Sequence, residues 1–407
     1  MKRNVLAAAA ICISLLGACV SGPRDSESEV QQLVDSGYVS ERRYPTKALH
    51  EVWERDDVKL DVSFIAPDVS DGARFPLIVY LPGLGESSAA GILWREGWAQ
   101  SGYAVLAIQP YALTERVWAS RRAREGDFRA LAKEHFSAES AAARVRDLDF
   151  ALRELKRRAG AGDSPYGTAD TSNVVLSGFD IGARTASLVS GESADSRKLR
   201  MSDATIRALI VLSPFFEGAA ASAEERFSDM ALPVLSITGT ADADPLSLLQ
   251  APSLRQVPWS AMPAGDKYLL VIRGGTHAVF AGNGFYEPGG AREASRPGNE
   301  GAGQNPQGRG RGRRGGGGQF GDLLFAESGG ASASGTDPGK GADSRRNGKP
   351  GNAATGPQPF SPRHIAAIRN VSTAFLDATV KAKTDARKWL AGDATRWLGD
   401  AAVLKFR

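Results

Sequence analysis

The stretch "VVLSGFDIGART", residues 174–185, decides the fold. It begins as an apolar run of the kind found in strands that are buried on both faces. Gly178 and Gly182 then permit a sharp turn, and the residues that follow them suit a helix. A strand that turns at once into a helix pushes the central side chain, here Asp180, into the space above the sheet. We therefore expect Asp180 to occupy a functional position.

The rest of the chain repeats the pattern of short apolar runs bounded by Gly or Pro. Such runs predict buried strands, and helical or loop segments alternate with them. This alternation predicts an α/β fold with a mostly parallel central sheet that is flanked by helices. The strands predicted outside the opening stretch lie at 58–67, 75–83, 103–110, 206–215, 232–239 and 267–275.

Composition limits the classes of function that the chain can have. The 407 residues carry a formal charge of +4, which is small for this length and argues against general nucleic-acid binding. The Arg-Gly run at 309–314 is similar to RNA-binding segments. The N-terminus, however, has the features of an export signal, as described below, and an exported chain seldom meets RNA. We therefore expect no nucleic-acid partner. No set of His, Cys and carboxylate residues has the spacing of metal ligands, so we expect neither a metal nor another cofactor.

Residues 1–18 have the features of an export signal, because a basic start precedes an apolar run that is too short to span a membrane. The sequence "LGAC" at 16–19 resembles a bacterial lipobox. This resemblance implies cleavage before Cys19 and a lipid on its thiol, with a plain signal peptide as the alternative. By analogy with such lipoproteins, Val20 favours the outer membrane. We therefore expect a lipoprotein of the cell envelope that faces the periplasm and is membrane-bound through its N-terminal lipid.

Composition divides the remaining chain into four parts. Residues 19–50 are polar and weakly patterned, and we interpret them as a tether. Residues 51–283 are predicted to form the α/β domain. Residues 284–361 are dominated by Gly, with Ser, Pro, Asn and Arg, and are predicted to be a disordered insertion. Residues 362–407 return to helical periodicity, and we expect them to be the C-terminal helical part of the domain.

Two acidic residues and a histidine follow strands that come after Asp180 in the chain. With Asp180 in the place of a nucleophile, the chain order is nucleophile, acid, histidine. Asp242 and Asp244 lie in "ITGTADADP", and His277 lies in "VIRGGTHAVF". In "VYLPGLGES", the glycines leave backbone N–H groups free to face a developing oxyanion. The expected donors of this oxyanion hole are the backbone N–H groups of Leu84 and Ile181.

With these motifs, residues 58–282 and the C-terminal helix resemble the α/β-hydrolases. The branch they most resemble contains dienelactone hydrolases and platelet-activating-factor acetylhydrolase-like esterases. The resemblance implies a hydrolase without a large cap domain that acts on a small or medium ester or a similar electrophile. In that family the acid lies three residues after the loop glycine, which favours Asp242 over Asp244 as the partner of His277.

Asp180 departs from this branch, whose members carry Ser or Cys at that place. Asp is typical there of haloalkane dehalogenases and epoxide hydrolases, but their elbows usually read Gly-His-Asp-Trp-Gly and they insert a helical cap. A carboxylate could attack a saturated carbon and form an alkyl ester, which His277, oriented by Asp242, would hydrolyse with water. Alternatively, Asp180 and His277 could hold a water between them, or Asp180 could be vestigial in a non-catalytic binding protein.

Aromatic and basic residues near these motifs are candidates for contact with a small-molecule substrate. Tyr111 follows the strand at 103–110, and Phe179 lies beside Asp180. We assign both to the substrate pocket. The Arg-rich stretch 114–136 is either a solvated helix face or a lid whose arginines attract an anionic substrate. The oligomeric state is left open.

Overall fold

The computed structural model describes residues 23–193, 201, 205–218, 222–285 and 360–407, and in these residues nine strands form a single sheet. The spatial order is β1-β2-β4-β3-β5-β6-β7-β8-β9. The strands are β1 Thr46–Arg55, β2 Val58–Pro67, β3 Phe75–Leu81, β4 Ala104–Pro110, β5 Ala169–Phe179, β6 Ile206–Leu212, β7 Val234–Ala241, β8 Lys267–Thr276 and β9 Ala402–Phe406.

The strands from β3 to β8 pair in parallel, whereas β1, β2 and β9 join the sheet through antiparallel pairs. This order, with strand β2 reversed and the sharp strand-to-helix turn after β5, is that of the α/β-hydrolase fold. The predicted α/β class with a mostly parallel sheet is confirmed. The carboxyl ends of the parallel strands meet at one edge, where ligands of such sheets bind.

Helices cover both faces of the sheet. They are α1 Pro23–Asp35, α2 Ile92–Gln100, α3 Arg121–Arg124, α4 Phe128–His135, α5 Ala138–Ala161, α6 Ile181–Val189, α7 Ala223–Phe227, α8 Val257–Ala261, α9 His277–Ala281, α10 Pro362–Thr379, α11 Thr384–Lys388 and α12 Ala394–Leu398. Short 3-10 turns span Tyr111–Leu113, Glu115–Ala119, Tyr166–Thr168 and Pro252–Gln256, and a π-helical turn spans Trp389–Asp393.

Successive residues of β5 pack on opposite faces of the sheet, as the pleat of a strand requires. Val175 belongs to the apolar layer that includes α2 and α10. Leu176 belongs to the layer on the other face, which includes the long helix α5. A strand buried on both faces is apolar at nearly every position, and for this reason the sequence predicted the central strands well.

The predicted tether at 19–50 is wrong for its described part, because residues 23–50 are folded. Helix α1 packs on α10, and Val30 is 1% exposed. The Asn370 side-chain amide donates to the carbonyl oxygen of Val34 at 3.0 Å. Strand β1 begins at Thr46 and pairs with β2 along its whole length. The partners that bury this region lie far away in sequence, so its own pattern is weak.

The C-terminal part also differs from the prediction. Helix α10 begins at Pro362 as expected, but residues 402–406 form β9, the last strand of the sheet, and not a helix. Residues 1–22, with Cys19, and residues 286–359, which hold most of the Gly-rich stretch, lie outside the described residues. Within the described part of the chain, no helix has the length and apolar character needed to cross a membrane.

Candidate active site

Asp180 stands at the turn between β5 and α6. Its backbone adopts φ 53° and ψ −115°, a left-handed conformation that is strained for a residue with a side chain. A Cβ at Gly182 would overlap the backbone oxygen of Leu81, and a Cβ at Gly178 would overlap Gly182. Gly182 is therefore needed for the close approach of this turn to the end of β3, and Gly178 for the close approach of strand and helix within the turn. The turn holds the Asp180 side chain in a buried position, with 8% exposure.

The carboxylate of Asp180 lies at the two backbone donors that the sequence predicts for an oxyanion hole. The N–H of Leu84 faces Asp180 Oδ2 at 3.5 Å, the outer limit of a hydrogen bond. The N–H of Ile181 hydrogen-bonds to the same carboxylate. One carboxylate oxygen of Asp180 is thus held in the place where an oxyanion would be stabilised.

The surroundings of Asp180 act on its pKa in opposite directions. Burial raises the pKa of Asp180, and the carboxylate of Asp244 acts in the same direction. The charges of His277 and Arg255 and the Ile181 N–H oppose this effect, but the pKa remains above the ordinary aspartate value. Asp180 is therefore within electrostatic reach of His277 at the carboxyl edge of the sheet.

His277 begins α9 directly after β8 and pairs with Asp242. Its Nδ1 lies 2.8 Å from Asp242 Oδ1, and both side chains are buried. A carboxylate only accepts hydrogen bonds, so it favours the tautomer with the proton on Nδ1. That tautomer leaves Nε2 unprotonated, as a general base requires.

The structure distinguishes the two acidic candidates by their partners. Asp242 faces His277, whereas Asp244 accepts backbone N–H groups within its own loop, from Leu246 at 2.9 Å, Leu248 at 2.6 Å and Leu249 at 2.8 Å. Asp244 therefore shapes the loop, and Asp242 is the carboxylate that can orient the imidazole.

Arg255 is a buried partner of this pair that the sequence reading missed. Its Nε lies 3.1 Å from Asp242 Oδ1, and its Nη2 lies 3.3 Å from His277 Nδ1. The other carboxylate oxygen of Asp242 accepts from Ser213 Oγ and Thr238 Oγ1, each at 2.8 Å. Burial would raise the pKa of Asp242, but Arg255 and the hydrogen-bonded His277 hold it below the usual aspartate value. Asp242 thus stays ionised.

Glu86 is a second carboxylate near Asp180 and His277, and sequence reasoning also missed it. Its Oε2 accepts the Gly83 N–H at 2.7 Å, and its Oε1 accepts from the side-chain amide of Asn283 at 2.8 Å. Burial raises the pKa of Glu86 to about 7; the Asp180 charge adds to this, and the two hydrogen bonds and His277 oppose it. Its place in "PGLGES" was the only signal in the sequence.

The two predicted pocket residues take different positions. Phe179 is buried, and its ring lies against the imidazole of His277 with 4.7 Å between ring centroids. It supports the histidine from the side of the core. Tyr111 lies in the 3-10 turn after β4, and its ring contacts the guanidinium of Arg116 at 5.3 Å. The role of Tyr111 in a substrate pocket stays a prediction.

The stretch 114–136 covers the edge of the sheet near Asp180 with an apolar face. Leu84 and Ile181 share an apolar cluster with residues of this stretch and with the loop at 246–249. The residues of the stretch that are buried in this cluster are Val117, Ala123, Leu131, Ala132 and Phe136. Arg121, Arg122 and Arg124 are exposed, as the interpretation of a solvated helix face expects, so the stretch has one face in solvent and one face in the cluster. We call residues 114–136 the lid, and the attraction of an anionic substrate by its arginines stays a prediction.

The described side chains contain no group of three or more His, Cys, Asp or Glu residues that could hold a metal ion. The absence of a cofactor stays a prediction.

Comparison with models of known protein families gave no match, and comparison with curated proteins gave none either. Among solved structures, the chain is similar to a ferulic acid esterase from Streptomyces cinnamoneus. The two are 18% identical, the match covers 85% of this chain and 93% of that chain, and the TM-score is 0.46. The function is therefore inferred from the chain's own residues.

Proposed function

We propose that the protein is a hydrolase in which Asp180 attacks an electrophilic carbon of a small or medium substrate, and His277, oriented by Asp242, activates water. One observation carries this proposal. The carboxylate of Asp180 stands at the strained turn and is met by the backbone N–H groups of Leu84 and Ile181.

The first step uses the carboxylate oxygen that does not face Leu84. This oxygen of Asp180 forms a bond to a saturated carbon of the substrate, and the leaving group departs with the electron pair of the broken bond. The leaving group is a halide or, in an epoxide, the ring oxygen. The product of this step is an ester between Asp180 and the substrate.

The second step hydrolyses that ester. Nε2 of His277 takes a proton from water, and the water oxygen attacks the ester carbon of Asp180. Negative charge then develops on Oδ2, which the N–H of Leu84 already faces, and the N–H of Ile181 donates to the same carboxylate. Collapse of this intermediate releases an alcohol and restores the carboxylate. For a haloalkane, the sum of the two steps is substrate plus water to alcohol, halide and a proton. For an epoxide, the ring oxygen stays bound through its second carbon and takes up that proton, so the sum is epoxide plus water to a diol.

The same geometry disfavours direct attack on a carboxylic ester. The carbonyl oxygen of such a substrate needs the N–H groups that the carboxylate of Asp180 occupies. Attack would also give a reactive anhydride. An ester is the second candidate substrate only if Asp180 and His277 hold a water that attacks it, with no covalent intermediate.

Turnover and trapping test this mechanism. The purified protein is assayed against haloalkane, epoxide and ester panels, together with Asp180→Asn and His277→Ala. We expect Asp180→Asn to lose at least about 10³-fold in kcat. His277→Ala should accumulate the ester, seen as a mass increase on the peptide that contains Asp180.

Isotope labelling separates the covalent route from the water route. In a single turnover in heavy-oxygen water, the label should enter the carboxylate of Asp180. Label found only in the product supports the water route, and wild-type rates in both variants contradict the proposed site. No turnover on any panel favours a non-catalytic binding protein at the cell envelope.

We further propose that the protein is exported and anchored in the cell envelope through a lipid on Cys19, in the outer membrane and facing the periplasm. The basic and apolar start and the sequence "LGAC" support this proposal. Cells fed a labelled fatty acid should label the wild-type chain but not Cys19→Ser. Equal labelling of the two chains contradicts the anchor.

A further inference from the structure

We infer that Glu86 is a positioning residue that joins the oxyanion loop to the chain segment after His277, so that both parts of the site keep a fixed separation. As a statement about catalysis, this inference rests on the proposed function. The contact itself can be tested independently of any activity.

The junction consists of three hydrogen bonds around two side chains. Glu86 Oε2 accepts the Gly83 N–H at 2.7 Å, next to the oxyanion donor Leu84. Glu86 Oε1 accepts from Asn283 Nδ2 at 2.8 Å, and Asn283 Oδ1 accepts the Gly91 N–H at 2.8 Å. We call this set the Glu86–Asn283 clasp. It closes loop 83–91 onto the residue that lies two positions after α9.

The surroundings of the clasp make it rigid on the side of the loop. Gln109 Nε2, from β4, donates to the carbonyl oxygens of Gly83 at 2.7 Å and of Glu86 at 3.1 Å. A Cβ at Gly85 would overlap the ring of Trp118 from the lid. Because Gln109 holds the loop backbone on the side of the sheet and Trp118 packs against it from the lid, the two carboxylate oxygens of Glu86 point in defined directions.

The charge state of Glu86 affects the strength of the clasp. An ionised carboxylate accepts strongly through both oxygens, whereas a protonated carboxyl carries one O–H and accepts more weakly. The charged or titratable groups around it are Asp180 and His277 in the site, and Tyr80 on the core side. Burial raises the pKa of Glu86 to about 7. A rise in pH through neutrality therefore strengthens the clasp.

An exchange of chemical groups tests the clasp. Glu86→Gln places an amide donor against one of the two N–H donors, and Asn283→Asp places a second carboxylate against Glu86. The double variant Glu86→Gln with Asn283→Asp restores the pairing, since the new amide can donate to the new carboxylate and still accept from Gly83. Glu96→Gln is the matched control, because Glu96 is an exposed residue of α2.

Two readouts are measured for each protein. The first is amide hydrogen exchange of segments 83–91 and 277–285 at pH 6 and pH 8. We expect faster exchange in both single variants, recovery in the double variant and no change in the control. The second is kcat and KM on the best substrate of the panels. We expect kcat to fall about 10–100-fold in the single variants with KM nearly unchanged, and to recover in the double variant.

The outcomes separate the inference from the proposed function. If the wild type turns over no substrate, the proposed function fails, and the exchange measurements alone decide the clasp. Unchanged exchange in the single variants overturns the clasp. Faster exchange with wild-type kcat in an active enzyme overturns the positioning role. A fall in kcat that the double variant does not reverse also overturns it, because Glu86 would then act through its own charge.

Discussion

Asp180 combines two features that oppose stability, a strained backbone and a buried carboxylate. A non-glycine residue at positive φ costs of order 1–3 kcal/mol, and Asp180 has φ 53°. Strain of this kind persists only where the surrounding structure imposes it. At Asp180 the close packing of Gly178 and Gly182 imposes it.

The raised pKa of Asp180 predicts a pH-dependent gain of stability in Asp180→Asn. The folded wild type holds the proton to a higher pH than the unfolded chain does, so its unfolding free energy falls as the pH rises from about 4 through the folded pKa. The amide variant lacks this loss. Its melting temperature relative to wild type should therefore be higher at pH 8 than at pH 4.

Asp400→Asn serves as the control for this measurement, because the Asp400 side chain is fully exposed. We expect its difference from wild type to change little between the two pH values. A difference for Asp180→Asn that shrinks as the pH rises would contradict the raised pKa.

We expect the replacement of Asp242 and the replacement of Asp244 to lower kcat by different amounts. Asp242→Asn should lower kcat by roughly 10³–10⁴-fold, because an amide does not stabilise the imidazolium of His277. It also leaves the buried charge of Arg255 with backbone carbonyl partners but no carboxylate, at a cost of about 3–5 kcal/mol in unfolding free energy. Asp244→Asn should keep kcat within about tenfold of the wild-type value, since its oxygens face only loop N–H groups.

The test of the acid pair combines steady-state kinetics with thermal melting, so that a folding defect is recognised. A greater loss of kcat in Asp244→Asn than in Asp242→Asn would reverse the assignment. The contribution of Asp242 to the unfolding free energy also depends on pH. Because the pKa of Asp242 is lowered, its stabilising effect is present above pH 4 and is lost as the pH falls.

At the scale of elements, the lid has charged residues that face solvent and apolar residues that pack into the protein interior. Its short helices are capped locally: the Ser120 hydroxyl accepts the Ala123 N–H, and Asp127 Oδ1 accepts the Ala130 N–H. The arginines of α3 face solvent, while Leu131 is 1% exposed beneath them. The apolar face covers Leu84 and Ile181 and would shield an ester of Asp180 from bulk solvent, so that the attacking water is the one that His277 activates.

Leu131→Ala should loosen the lid. Truncating a buried leucine costs about 2–5 kcal/mol, and this apolar cluster is smaller than the two main core layers. Limited digestion with trypsin should therefore cut faster within residues 116–133, which are rich in Arg and Lys. Exposed Glu125→Gln provides the control, and equal cleavage rates in the two variants would show that the lid does not depend on this contact.

At the scale of the whole molecule, helix α1 and the segment after it tie the N-terminal part of the described chain to the C-terminal helices. Tyr38 donates to Asp377 Oδ2 at 2.9 Å, and Ser40 donates to the same oxygen at 2.6 Å. Tyr103 donates to Asp377 Oδ1 at 2.7 Å. Asp377 of α10 thus gathers residues from distant parts of the chain, and the domain includes residues that sequence reasoning assigned to a tether.

Val30→Ala tests whether α1 belongs to the folded domain. Removing two buried methyl groups should lower the unfolding free energy by about 2 kcal/mol, measured by urea denaturation. Val39→Ala is a matched control, because Val39 is 55% exposed and Val30 is 1% exposed. Equal stability of the two variants would mean that α1 is only loosely attached.

Local patterns in the sequence were sufficient for the α/β class and for the positions of Asp180, Asp242 and His277. Strands buried on both faces appear as apolar runs, and the two glycines mark the turn at Asp180 directly in the sequence. Each of these three candidate site residues follows directly after a strand that the sequence predicts. Their order along the chain can therefore also be recognised from local patterns.

Only the tertiary structure decided the edges of the domain and the residues that support the site. Helix α1 is weakly patterned and strand β9 is short, and both are stabilised by partners elsewhere in the fold. Arg255, Glu86 and Asn283 carry no motif of their own. Glu86 and Asn283 are 197 positions apart, and the fold brings their side chains within hydrogen-bond distance. A contact between distant residues depends on the packing of the whole chain, which no single stretch of sequence contains.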